Sequence, residues 1–299
     1  MNMKKDIHNP FDRMIDNLVR KLRHIRISTR LILSYVVVSI IPVLTIGCFS
    51  YYITQKVVLE KMHTSLTQSI KNINEESGRY LDELLNDSSN IIYSAYAQDL
   101  LKQYNAGIDQ ENTSEQILNH IKNNVALASL SDIRIVLNNE DLISYRVIYR
   151  LRSEEMARLE KIGEENPESP VFVPVKLESN QKGICLVRTI YSSNTLEEMG
   201  RLYFTVTEQR IKNICNEIDI AKGSEIYMIN TQGEIVSATG DVDFDTDEIV
   251  EKTGTKKSGK FDIVIQGEKC FVTYCKKDDA DWYIVCTVPY SDFNSTVNK

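Results

Sequence analysis

The side chains able to do chemistry are sparse in this sequence, and their spacing excludes more than it offers. Asp241, Asp243, Asp245 and Asp247 alternate along one stretch and invite a calcium reading. An EF-hand loop in that register needs glycine at its sixth position and glutamate at its twelfth. Those places hold Thr246 and Lys252, so a solvated acidic loop is expected. The six cysteines show no CxxC spacing. Cys48 lies in an apolar run, and Cys185, Cys215, Cys270, Cys275 and Cys286 are an odd number. Buried free thiols are expected of them; if one bridge forms, Cys270 with Cys286 on adjacent strands is the candidate. His8, His24, His63 and His120 stand apart, so no zinc set is expected. There is no glycine-rich phosphate loop, and no carboxylate pair is singled out for acid–base work. Neither enzymatic activity, cofactor nor metal is expected. Trp282, the single tryptophan, opens a strand with Ile284, Cys286 and Val288 on its face. It is expected to anchor a core rather than stack on a ligand.

The element that must position everything else is residues 31–53, LILSYVVVSIIPVLTIGCFSYYI, which carries no charge. As a helix it spans about 34 Å, enough for a hydrocarbon core of about 30 Å. Within a bilayer the backbone must satisfy its own hydrogen bonds, so helix is the expected state, with Pro42 tolerated. A cleaved signal peptide would be shorter and followed by small residues; here Tyr51, Tyr52 and Ile53 follow. The first thirty residues hold eight basic and three acidic side chains. This basic flank places the N-terminus in the cytoplasm and residues 54–299 outside. Of the net charge of −7 the remainder then carries about −12, which argues against nucleic acid as a partner. Phe11, Met14, Ile15, Leu18, Val19 and Leu22 recur at helical spacing in this arm. It is either an amphipathic segment on the inner leaflet or a plain topology signal.

Residues 54–98 read as a long stalk helix with an apolar stripe, Val58, Met62, Leu66, Ile70, Ile73, Tyr80, Leu84, Ile91 and Ala95. The stripe suits pairing with a second copy near the membrane and packing on its own domain further out. Residues 99–124 read as a polar loop leading to a helix from about Ser114. Strands are expected at 132–137, 142–148, 171–177, 183–191 and 201–207, with a charged helix at 153–165 opened by Ser153. A second unit repeats the plan. A helix at 208–221 is followed by strands at 225–229 and 234–238 around a Thr231-Gln232-Gly233 turn. A short helix near 247–252 and strands at 260–266, 270–276 and 282–288 complete it. The class is α+β, with domains at 99–207 and 208–299.

These residues in this order resemble a known arrangement. A basic arm runs into IRISTRLILSYVVVSIIPVLTIGCFSYY; later come MGRLYFTVTEQRIKNI, SEIYMINTQGEIVSA and DWYIVCTVPYSDF. Together they resemble the extracytoplasmic double Cache (dCache) sensor region of a YesM-type bacterial sensor histidine kinase. The resemblance implies two tandem PAS-like five-stranded antiparallel sheets on one long helix. Such kinases continue into a second membrane helix, a HAMP linker, a phosphoacceptor histidine and an ATP-binding domain. This sequence is then either part of a longer sensor or a stand-alone one.

The resemblance also implies a ligand pocket in the membrane-distal unit, on the sheet face and its loops. Its candidates there are Tyr145, Arg146, Tyr149, Arg150, Arg188 and Tyr191. Arg188 is the sharpest, because burying a guanidinium requires an anion beside it; a surface salt bridge is the competing reading. The family's amino-acid binders surround this site with aromatics including tryptophan, and this unit has no tryptophan, which argues against an amino-acid ligand. The expected function is a sensory input domain. It would bind a small solute or a solute-loaded binding protein, pair as a homodimer through the long helix, and relay a helix shift across the bilayer. A tethered interaction protein with a filled distal unit is the alternative.

Overall fold

The computed structural model describes residues 26–124, 130–138, 141–146, 148–217, 223–241, 244–277 and 280–292. Most of the basic arm, the hairpin tip at 139–140, the end of the helix expected to reach residue 221, Asp243 and the tail from 293 lie outside the described residues.

Helix α1 runs from Ile27 to Tyr93 with Pro42 inside it, and its apolar part is long enough to cross a membrane. The polar side chains there bond back to the helix. The Ser39 hydroxyl donates to the Tyr35 carbonyl at 2.6 Å, and that of Thr45 to Ile41 and Pro42, each at 2.9 Å. This is what a medium without water demands. Residues 62–299 form one compact unit.

The stalk pattern breaks earlier than its periodicity suggests. Ser94 adopts extended geometry and its hydroxyl accepts from the Ala97 amide, starting a new helix, α2, at Ala95–Asn105. A serine of this kind competes for backbone groups and so favours a cap over a helix interior. The stretch expected to be a polar loop is therefore mostly helical. α2 buries Ala97, Leu100, Leu101 and Tyr104, and α3 (Gln110–Asn124) begins four residues before Ser114.

Two five-stranded antiparallel sheets follow. The first holds β1 (Leu130–Leu137), β2 (Leu142–Arg146), β3 (Val171–Lys176), β4 (Lys182–Tyr191) and β5 (Glu198–Thr207) in spatial order β2-β1-β5-β4-β3. Between β2 and β3 lies α4 (Ser153–Glu165), with Arg152 rather than Ser153 at its N-cap. The second sheet repeats the order. β6 (Glu225–Asn230), β7 (Ile235–Ala238), β8 (Ser258–Ile265), β9 (Glu268–Lys277) and β10 (Trp282–Pro289) lie as β7-β6-β10-β9-β8. Helix α5 (Gln209–Glu217) joins the sheets, and α6 (Thr246–Thr253) starts at Asp245, whose carboxylate caps the Asp247 amide at 2.9 Å.

All six cysteines are free. In the β9–β10 register Cys270 lies opposite Pro289 and Cys286 opposite Thr273. Their side chains are on different faces, so the bridge considered for them cannot close. Trp282 is buried as expected, edge-on to Phe172 of β3 with ring centroids 6.2 Å apart, and so joins the two sheets.

Candidate functional site

Alternation along the strands gives each sheet two faces. One face of the first sheet meets α1. Here Arg188 of β4 donates to the Ser88 hydroxyl at 3.1 Å and the Ser89 hydroxyl at 2.7 Å, with its guanidinium 4.9 Å from the Tyr93 ring centroid. Among the described residues no carboxylate pairs with it, and these hydroxyls and the ring are its partners. The second sheet meets the same helix through Cys275 beside Asn74, Phe271 against His63, and Lys277 at Gly78.

The other face of the first sheet lies under α4. Val173, Val175, Cys185, Val187, Leu159 and Tyr203 form a core there, with Met156 and Ile162 packed against it. Arg134 and Asp132, both buried, pair at 2.9 Å on this face. Arg134 also donates to the Leu151 carbonyl at 2.7 Å, and Asp132 accepts from the Leu151 amide at 2.9 Å. A buried ion pair holds only when its remaining groups are also satisfied, and this one pins the chain entering α4. At the other side, Glu155 of α4 accepts from the Lys176 amide at 3.1 Å.

Between α4 and the β1–β5 part of the sheet a cleft of about 680 Å³ remains open. Its floor is Val136, Gly200, Arg201 and Tyr203; its walls are Leu142, Met156, Glu160, Glu164 and Glu198. Gly200 takes φ +150°, and a Cβ there would sit 2.4 Å from the Val136 carbonyl oxygen, so only glycine lets β5 approach β1 here. Arg201 reaches Glu164 at 3.4 Å and Glu198 at 3.5 Å. In this lining the buried Tyr203 hydroxyl donates to no partner among the described residues, with the Arg201 guanidinium beside its oxygen. Burial first, and the Glu160 carboxylate second, push the Tyr203 hydroxyl up to about 12.

The corresponding face of the second sheet is filled. Tyr227, Tyr274, Tyr283, Ile249 and Val272 form a core with Phe244 packed on it. Its tyrosine hydroxyls have partners: Tyr283 donates to the Gly254 carbonyl at 2.7 Å, Tyr274 to that of Thr253 at 3.3 Å, and Tyr227 to the Glu225 carboxylate.

The sequence candidates do not converge on the cleft. Tyr145 pairs in register with Ile133, on the α1 face. Arg146 lies opposite Asp132 in register. Tyr149 packs at the margin of the core under α4, while Arg150 is exposed. The Tyr191 hydroxyl donates to the Pro167 carbonyl at 3.1 Å. Arg201 and Tyr203 of the cleft are not among the sequence candidates, although their spacing of two in a strand places both on one face, as the spacing of four places Glu160 and Glu164 on one helix face.

A Cache domain family model matches residues 52–297. No curated protein matches the sequence. Among solved structures, the ligand-binding domain of Mlp24 with asparagine is 12% identical, covering 81% of this chain and 99% of that one, at a TM-score of 0.57. The extracellular domain of the putative histidine kinase mmHK1S-Z3 is 12% identical, with 79% and 98% covered and a TM-score of 0.54. The ligand-binding domain of the Pseudomonas fluorescens chemoreceptor CtaA in complex with L-isoleucine is 11% identical, with 81% and 98% covered and a TM-score of 0.57.

Proposed function

Because this chain belongs to the Cache domain family, we propose that it is a membrane-anchored, extracytoplasmic sensory input domain that takes a small solute in the cleft beneath α4. The observation that carries the reading is the contrast between the two sheets. One encloses a packed core with paired tyrosine hydroxyls, and the other leaves a cleft of about 680 Å³ at whose floor the Tyr203 hydroxyl donates to no partner among the described residues. A cleft of this size suits a small molecule, and its lining carries three glutamates and one arginine beside Leu142 and Met156.

In this reading the N-terminus is cytoplasmic and α1 carries the signal. Both sheets hold that helix, the first through Arg188 and the second through Cys275 and Lys277. A ligand shifts the helix only by binding one helix position more tightly than another. The apolar stripe of the stalk supports pairing of two copies along α1.

The test is thermal denaturation of the full chain in detergent micelles against sugars, amines, organic acids and amino acids. A ligand at a hundred times its Kd adds about 2.7 kcal/mol and raises Tm by roughly 5–10 °C. Tyr203→Phe should reduce that shift. If no solute raises Tm, or the shift survives cleft substitutions unchanged, the site is elsewhere. Protease added to intact cells should cut beyond residue 53; protection of that region would overturn the orientation.

A further inference from the structure

Which solute the cleft accepts follows from its charges, provided the cleft is the sensory site proposed above. Three carboxylates line it, Glu160, Glu164 and Glu198, against the single guanidinium of Arg201. That guanidinium is already shared, its two Nη atoms facing Glu164 at 3.4 Å and Glu198 at 3.5 Å. An incoming carboxylate would have to compete with both for the one cation. Glu160 has no cationic partner among the described residues. At the floor the needs are different. The Tyr203 hydroxyl, on a residue only 1% exposed, donates to no partner among the described residues, and the Arg201 guanidinium lies beside its oxygen. The hydroxyl still carries a hydrogen to donate, so the ligand atom that meets it is an acceptor oxygen. A buried donor left unpaired is costly, and a ligand oxygen would remove that cost. At this hydroxyl Glu160 and Arg201 act in opposite directions, and the three carboxylates against one guanidinium leave the cleft as a whole negative. A charged oxygen is disfavoured there, and an uncharged one is not.

We infer that the cleft selects a small amine cation that also carries an uncharged oxygen acceptor, an amide carbonyl or a hydroxyl, over zwitterions and organic acids. The ammonium lies among the α4 carboxylates, the oxygen meets the Tyr203 hydroxyl, and Leu142 and Met156 cover the carbon skeleton.

The test is isothermal titration of the full chain in micelles with compounds matched in skeleton and different in charge. Leucinamide is the cation, leucine the zwitterion and 4-methylpentanoate the anion; glucosamine and glucose form a second cation–neutral pair. At least one cation should bind ten-fold or more tightly than its matched partners. Glu160→Gln, an exposed position that leaves the fold intact, should weaken that cation about ten-fold and narrow the gap to its partners. Tyr203→Phe should weaken it without changing the order. If leucine, glucose or 4-methylpentanoate binds more tightly than the matched cation, and Tyr203→Phe weakens it, the charge rule is overturned while the sensory cleft stands. If no compound binds, or binding is indifferent to Tyr203→Phe and Glu160→Gln, both this rule and the cleft reading fall.

Discussion

Helix α4 forms a wall of the cleft and also reaches the second sheet, and that double duty yields a measurable coupling. From the same helix as Met156, Glu160 and Glu164, Arg158 places Nη2 at 2.7 and 2.6 Å from the two carboxylate oxygens of Glu234, in the β6–β7 turn. The turn is itself braced. Asn230 Nδ2 donates to Glu234 at 2.7 Å, and Asn230 Oδ1 accepts from the Gln232 and Glu234 amides at 3.0 and 2.8 Å. The perturbation is the cycle Arg158→Ala, Glu234→Ala and both together. The side chains are 38% and 40% exposed, so water screens the pair. Contact with both oxygens puts it at the upper end of exposed pairs, a coupling of about 1 kcal/mol. Arg158→Ala alone should cost more, about 1.5–2 kcal/mol, because Arg158 also reaches Glu155 at 3.4 Å and the Pro174 carbonyl at 3.3 Å. The cycle cancels those extra losses.

The assay is urea denaturation of the full chain in micelles, at low ionic strength and at about 0.5 M salt, where screening should remove about half of the coupling or more. Trp282, the sole tryptophan, sits on β10 against Phe172 of β3 and reports on the contact between sheets. A bound solute that changes its fluorescence in the native chain should change it less in Glu234→Ala, at unaltered affinity. A coupling within about 0.3 kcal/mol of zero at low salt, or a full tryptophan response in the double variant, would refute α4 as the link between the sheets.

Three further outcomes follow from the geometry. Arg188→Ala removes two hydroxyl partners and the stacking on Tyr93, and should cost about 1–2 kcal/mol in denaturation while leaving solute affinity within two-fold; a ten-fold loss of affinity would return Arg188 to the binding site. Gly200→Ala forces a Cβ onto the Val136 carbonyl in a backbone conformation that suits only glycine, and should cost about 2–4 kcal/mol by the same assay. Burial pushes Cys185, Cys215 and Cys286 up to about 12 from an ordinary value of 9.0, and Tyr203 up to about 12 from 10.0. The folded state then holds more protons than the unfolded state between those values, so this contribution is intact below pH 9 and is lost as pH rises toward 12. Denaturation midpoints measured from pH 8 to 11 should fall above pH 9, and a rise would contradict the burial of these groups.

What could be read from the sequence divides along the range of the physics involved. The apolar run at 31–53 and the strand alternation are local, and each names its element without reference to the rest. The Gly233 turn is equally local, since a positive φ of +81° there suits glycine. The break at Ser94 is local as well, but weak. One serine hydroxyl outweighs a periodicity that continues through it, and α2 buries a face that a single long helix would point elsewhere.

The cleft is not local at all. Alternation puts Arg188 on the opposite face from Val187, but no residue of β4 says which face receives α1 and which receives α4. That is decided by Ser88 and Ser89, about a hundred positions earlier, whose hydroxyls accept the guanidinium. In the same way, Arg201 in isolation is a strand arginine, and Glu160 and Glu164 are solvated helix glutamates. They become one site only because Arg134 and Asp132 pin the entry to α4 while Glu155 pins the helix to β3, suspending its carboxylates over β5. The ligand chemistry of this chain therefore depends on how a scaffold pair hangs one helix. Substituting Asp132 with Asn should loosen α4 and weaken solute binding although Asp132 does not line the cleft. An affinity unchanged in Asp132→Asn would mean that the cleft is shaped by its own lining residues alone.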